Sequence, residues 1–178
     1  MFLKTINRLK VSIMITNTKA QVFYTSNPEV AQLGACATMK NTLNGQVVEN
    51  ADLERFNAVP NDAAIILVAA HLAAKLSIPQ MGAIIAHEQG HIDCGHLIKG
   101  AEMVNAAGLI DSLTFELEAD AGAVALFGKE TVRVALTLTV EAVVDYLISS
   151  DVVPEDDRDN VMEFCNTSME QRYAALAA

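Results

Sequence analysis

Ala86-His87-Glu88-Gln89-Gly90-His91 lies inside a long apolar segment of helical character, and its reading decides the fold. On a helix, positions i and i+4 stand one above the other, so His87 and His91 can present two imidazoles to a single metal ion. Glu88 then sits beside the metal's open position, where a carboxylate can take a proton from bound water. Two histidines alone rarely hold a catalytic zinc, which takes three protein ligands and a water. A third ligand is therefore expected on a neighbouring helix.

Phe115-Glu116-Leu117-Glu118-Ala119-Asp120, followed by Ala121-Gly122-Ala123, meets that need. Its small residues allow two helices to approach closely. Glu116 and Asp120, four residues apart, share one face, so one carboxylate can bind metal while the other accepts a hydrogen bond from a ligand histidine and fixes its tautomer. Glu118 points about 200° away from Glu116 and is the weaker ligand candidate. Surface ion pairing is the alternative role for whichever of the two does not bind. His96 falls about 140° round from His91 on a continuous helix, which suits a packed or partner-bound histidine. His71 reads as structural in the same way.

Outward from the two motifs, local signals set the remaining elements. Val11 to Thr16 and Gln21 to Thr25 alternate as a pair of strands. Asn27-Pro28 opens a helix expected to reach about Lys40, with Asn27 as its cap. Asn44-Gly45 marks a turn, with a return strand over Gln46 to Glu49. The turn Pro60-Asn61-Asp62 precedes an apolar strand, Ala63, Ala64, Ile65, Ile66, Leu67 and Val68. A short helix over Ala69 to Lys75 follows. Ser77, with Pro79 just inside, starts the motif helix, which is expected to end near Lys99-Gly100. Helices then span Ser112 to Phe127, about Glu130 to Ser149 and Pro154 to Phe164. Ser168 with Gln171 reads as a capping box for a last short helix. The expected fold is α+β, a mainly helical single domain over 1–178 with a small sheet whose edge strand lies beside the motif helix.

The chain's 178 residues are long enough to bury a core, and 52% of them are hydrophobic. Its net charge of −10 argues against nucleic acid or an anionic membrane as the main partner. Asp151, Glu155, Asp156, Asp157 and Asp159 lack the glycine and terminal glutamate of a calcium loop and read as a solvated turn. The most apolar region, Ala63 to Ala86, is interrupted by His71, Lys75, Pro79 and Gln80, so no membrane span is expected. Val11 to Ile15 is too short for the core of a signal peptide. Three cysteines at unrelated spacings (Cys36, Cys94, Cys165) suit reduced thiols, and a cytoplasmic location is the expectation.

The paired motifs, His87-Glu88-x-x-His91 and Glu116-x-x-x-Asp120, resemble the HtpX-like and CAAX-prenyl-protease family of zinc peptidases, and most of all its soluble single-domain minigluzincins. The similarity runs from Asn57 to Ala175 and includes Asn166 to Arg172, which is similar to that family's closing segment. The resemblance implies a gluzincin metalloprotease, a hydrolase with one Zn2+ per chain. His87, His91 and Glu116 would be the ligands, Glu88 the general base and Asp120 the orienting carboxylate. A polypeptide substrate would bind extended along an edge strand, Ala63 to Val68. The chain departs from the family in lacking transmembrane helices, in carrying Leu113-Thr114-Phe115 where a basic residue is common, and in having Asn166-Thr167 in place of His-Pro. That last change leaves the oxyanion donor open among Tyr146, Arg172 and Tyr173. Two functions are therefore expected: a zinc endopeptidase or, alternatively, a catalytically silent zinc-binding module acting in binding or regulation. The oligomeric state is not legible.

Overall fold

The computed structural model of the protein describes residues 19–43, 47–97 and 112–177. The strand expected over Val11 to Thr16 and the turn at Asn44-Gly45 lie outside the described residues, whereas the motif helix, expected to reach about Lys99-Gly100, ends at Asp93, where the left-handed Gly95 follows.

Strand β1 (Gln21–Thr25) leads into a single helical turn, α1 (Pro28–Ala31), capped by the Asn27 side chain, which accepts from the Glu29 N–H at 2.8 Å. The cap is as expected, but the helix does not continue to Lys40. Gly34 adopts φ +79°, a left-handed conformation that ends the turn. The chain then runs extended as β2 (Ala35–Met39). The residues in β2 have modest strand preference; pairing with β3 (Ala64–Ala69) is what makes them a strand. No strand forms over 47–49, although Val47 and Val48 are buried in the core.

The sheet order is β1-β3-β2, with β1 parallel and β2 antiparallel to β3. This corrects the expected substrate edge. Ala64, Ile65, Ile66, Leu67 and Val68 lie in the central strand, hydrogen-bonded on both sides, and Ala63 precedes it. The physical reason is visible in their burial: Ile65, Ile66, Leu67 and Val68 are all 0% exposed, so both faces of the strand are covered. The edge beside the motif helix is β2.

After α2 (Leu53–Ala58), β3 and α3 (Ala70–Lys75), Ser77 and Gln80 form a reciprocal capping box that starts α4 (Ile78–Asp93). α4 is buried over its whole middle, from Met81 to Gln89. It separates two apolar clusters: Met81 and Ile85 join Phe23, Phe56 and β3, while Ala83, Ile84 and Ala86 join α5 (Ser112–Phe127), α6 (Lys129–Ser149) and α7 (Arg158–Ala177). Each large aliphatic side chain buried here contributes about 1.5–3 kcal/mol, so the helix is fixed from both sides. α7 is one continuous helix with no break at Ser168. Its residues include neither glycine nor proline, and nothing interrupts the backbone ladder. The architecture is α+β and mainly helical, and no described helix is long and apolar enough to cross a membrane.

Candidate metal centre

α4 and α5 run antiparallel and touch at two points eight residues apart, Gly90 against Ala119 and Gly82 against Phe127. A Cβ at Gly90 would lie 2.8 Å from the Ala119 Cα, so only glycine permits this approach. Ala119 and Ala123 are fully buried in the contact. Gly122, one of the small residues expected to serve it, faces open space. The crossing brings Glu116 over the two histidines of α4.

His87 Nε2 and His91 Nε2 are 3.1 Å apart. Glu116 Oε2 lies 3.3 Å from His87 Nε2, and Glu116 Oε1 lies 3.4 Å from His91 Nε2. Zinc bonded at about 2.0–2.1 Å in tetrahedral geometry sets its donors roughly 3.3 Å apart. The spacing of the three groups fits one metal ion, which His87, His91 and Glu116 would hold.

Each histidine is backed by a different partner. His87 Nδ1 lies 2.9 Å from Asp120 Oδ1, off the ideal line of the ring N–H. Asp120 is 3% exposed and is held by Arg172, whose Nε and Nη2 donate to its two oxygens at 2.8 and 2.7 Å. Arg172 Nη1 also reaches Glu116 Oε2 at 2.7 Å. His91 Nδ1 stands 2.9 Å from His96 Nδ1, and His96 Nε2 stands 2.8 Å from Glu118 Oε2. α4 ends at Asp93 because Gly95 adopts φ +73°, the left-handed turn common after a helix, so His96 folds back toward His91. Its ring stacks on Phe115 with centroids 4.2 Å apart.

These contacts set the charges. Burial acts to lower the His87 pKa, but Asp120, Glu116 and Glu88 outweigh it and raise it to about 9. Burial acts to raise Glu116 and Asp120. Hydrogen bonds from His87 and His91, with the Arg172 charge, hold Glu116 well below the usual carboxylate range. Arg172 and His87 hold Asp120 low in the same way. Glu88 moves the other way: burial pushes its pKa up, against the opposing pull of His87, His91 and the Ala37 N–H.

Glu88 opens on a cleft of about 480 Å³ with walls from α4, β2, α5 and α6. Its apolar side includes Leu33, Ile84, Leu97, Phe115 and Leu136. Cys36 of β2 also faces the cleft, its thiol pKa pushed to about 12 by burial and the Glu88 charge. Ala69 N donates to Gly34 O, and Lys40 N donates to Ala63 O. In an antiparallel ladder this alternation turns the even-numbered main chain of β2 toward β3 and leaves Ala35, Ala37 and Met39 facing away from it, on an edge that pairs with no other described strand.

His87, Glu88, His91, Glu116 and Asp120 thus converge where the sequence places them. Of the three expected oxyanion donors only Arg172 reaches the cleft. Tyr146 is not part of its lining and stacks on His71, centroids 5.0 Å apart. Tyr173 is also outside it, its hydroxyl 3.5 Å from Thr137 Oγ1. His71 takes the structural place expected of it. Sequence reasoning missed β2 as the cleft wall and the join between His91 and His96; the signal for the latter was Gly95. Comparisons with models of known protein families, with curated proteins and with solved structures found no match.

Proposed function

We propose that the chain is a zinc-dependent endopeptidase. The observation that carries this reading is the triangle of His87 Nε2, His91 Nε2 and the Glu116 carboxylate, 3.1–3.4 Å on its edges, with a buried carboxylate beside it in a cleft. The resemblance of the paired motifs to HtpX-like zinc peptidases supports it. When bound there, zinc supplies Lewis acidity, polarising a peptide carbonyl and acidifying water. Glu88 takes the proton of the attacking water and delivers it to the leaving amine. In the metal-free site its burial raises its basicity. The outward main-chain groups of β2 at Ala35 and Met39, with the Ala37 carbonyl, offer an extended polypeptide a strand to pair with, while the Ala37 N–H is taken by Glu88; recognition of this kind is largely blind to sequence. The apolar side of the cleft favours an apolar side chain near the cleaved bond.

Glu88→Gln tests the reading. It should retain zinc and lower the cleavage of unfolded casein by at least about 10²-fold, the usual scale for a general acid or base. Equal cleavage by the variant and the wild type would overturn the mechanism.

One observation favours the second reading, a zinc-binding module without catalysis. Arg172 is the one expected oxyanion donor in the cleft, and its Nε, Nη1 and Nη2 are all engaged with Asp120 or Glu116. Wild-type protein with one zinc per chain and no cleavage of casein or peptide libraries would establish that reading.

A further inference from the structure

We infer that His96 and Glu118 are positioning residues for His91, forming a two-step chain that orients this ligand and raises its affinity for metal. The inference rests on zinc at His87, His91 and Glu116. It deepens that reading by giving His91 a support that its own motif does not contain.

Proton counting carries the argument. His91 Nε2 faces the metal point, so its ring proton sits on Nδ1. The neighbour of that N–H, 2.9 Å away, is His96 Nδ1, which must accept and therefore carries no proton. The remaining proton of a neutral His96 is then on Nε2, where it donates to Glu118 Oε2 at 2.8 Å. Every ring nitrogen in the chain has one role, and the direction of each hydrogen bond is fixed. Glu118 contributes its charge at the outer end while its side chain is 50% exposed, so it is held without a large desolvation cost. Phe115 stacks on the His96 ring and prevents it from turning away. His96 itself is 5% exposed and positioned by the Gly95 turn. A ligand histidine oriented through its second nitrogen is a better base toward the metal.

The same bookkeeping disposes of a rival. Cys94, His96 and Glu118 also bring three donor atoms together within 4.8 Å, as a second metal site would require. With His91 holding zinc, His96 could bind a second metal through Nε2 only by losing its last ring proton. The hydrogen-bonded chain needs no such loss.

The experiment measures zinc affinity by competition with a chelator, alongside zinc content and circular dichroism, on full-length protein. Glu118→Ala and His96→Asn should bind zinc about 10–100-fold more weakly while keeping the wild-type helical spectrum. Glu118→Gln, which keeps an acceptor oxygen without the charge, should fall between Glu118→Ala and the wild type. Wild type and Cys94→Ser should each hold one zinc per chain. Affinity in Glu118→Ala within twofold of wild type would overturn the inference and leave the proposed zinc centre standing. Two zinc ions in the wild type, one of them lost in Cys94→Ser, would replace the chain by a second metal site. A wild type that binds no zinc would sink the inference together with the proposed function.

Discussion

His87 and His91 sit one turn apart on α4, yet they are supported in opposite ways. His87 leans on Asp120, a buried carboxylate clamped by Arg172 from α7. His91 leans on His96, a neighbour in sequence that borrows the half-exposed Glu118. The first support couples three helices and places two full charges in the interior. The second couples a helix end to the start of α5 and keeps its charge at the surface. A buried ion pair that loses one partner leaves an uncompensated charge, whereas a surface carboxylate is rescued by water. The two ligands of one metal should therefore fail differently when their supports are cut.

The largest effect is expected on the His87 side. Arg172→Ala leaves Asp120, at 3% exposure, with His87 as its remaining charged partner and also frees Glu116 from its guanidinium contact. Loss of one partner from a buried pair costs about 3–5 kcal/mol, so thermal unfolding of the metal-free variant should shift down by many degrees. Glu118→Ala should shift it by less than about 1 kcal/mol. Equal shifts in the two variants would erase the distinction between the supports.

An intermediate effect is expected from the joint that both supports share. Glu116, Glu118 and Asp120 all reach the histidines because α5 approaches α4 at Gly90. A methyl group there meets backbone, the Ala119 Cα at 2.8 Å and its carbonyl oxygen at 3.1 Å, so the helices must separate. Gly90→Ala should cost about 1–3 kcal/mol in stability and weaken metal binding through both histidines at once. Denaturant unfolding and chelator competition measure the two losses. A stability loss with unchanged zinc affinity would show that the centre tolerates helix separation.

The site's legibility follows the same division. Spacing within one helix is a local property, so His87, Glu88 and His91 could be read directly, and the shared face of Glu116 and Asp120 with them. The end of α5 at Phe127, before Gly128, was equally local. The pairing of Arg172 with Asp120 spans 52 residues and leaves no periodic trace. Asn27-Pro28 signals a helix start, yet Ala35 to Met39 became a strand because β3 offered it a ladder, which overrides weak local preference. The central position of β3 was legible in principle. A run such as Ile65-Ile66-Leu67-Val68 has no polar residue to put on an exposed face, and such runs belong inside a sheet rather than at its edge.

The smallest effect is a pH dependence that separates the two histidines in chelated, metal-free protein. The folded His87 pKa is raised to about 9, against about 6.5 in the unfolded chain. A raised histidine pKa contributes stability that is fully present below the unfolded value and is lost as pH rises through the folded one. Metal-free protein should therefore lose on the order of 1 kcal/mol between about pH 7 and pH 9 from this group. Asp120 and Glu116 have depressed pKa values, so their share is present at neutral pH and is lost only as pH falls into the acid range. Asp120→Asn removes the carboxylate charge beside His87 Nδ1 that favours the protonated ring and should flatten the alkaline leg. His96→Asn touches the support of His91 and should leave that leg in place. Urea unfolding across this pH range checks both variants, and a leg flattened equally by the two would mean that the supports act as one network. Zinc at His87 Nε2 competes with the second ring proton of the charged imidazole, so its affinity for the wild type should rise with pH up to about 9 and rise less steeply in Asp120→Asn.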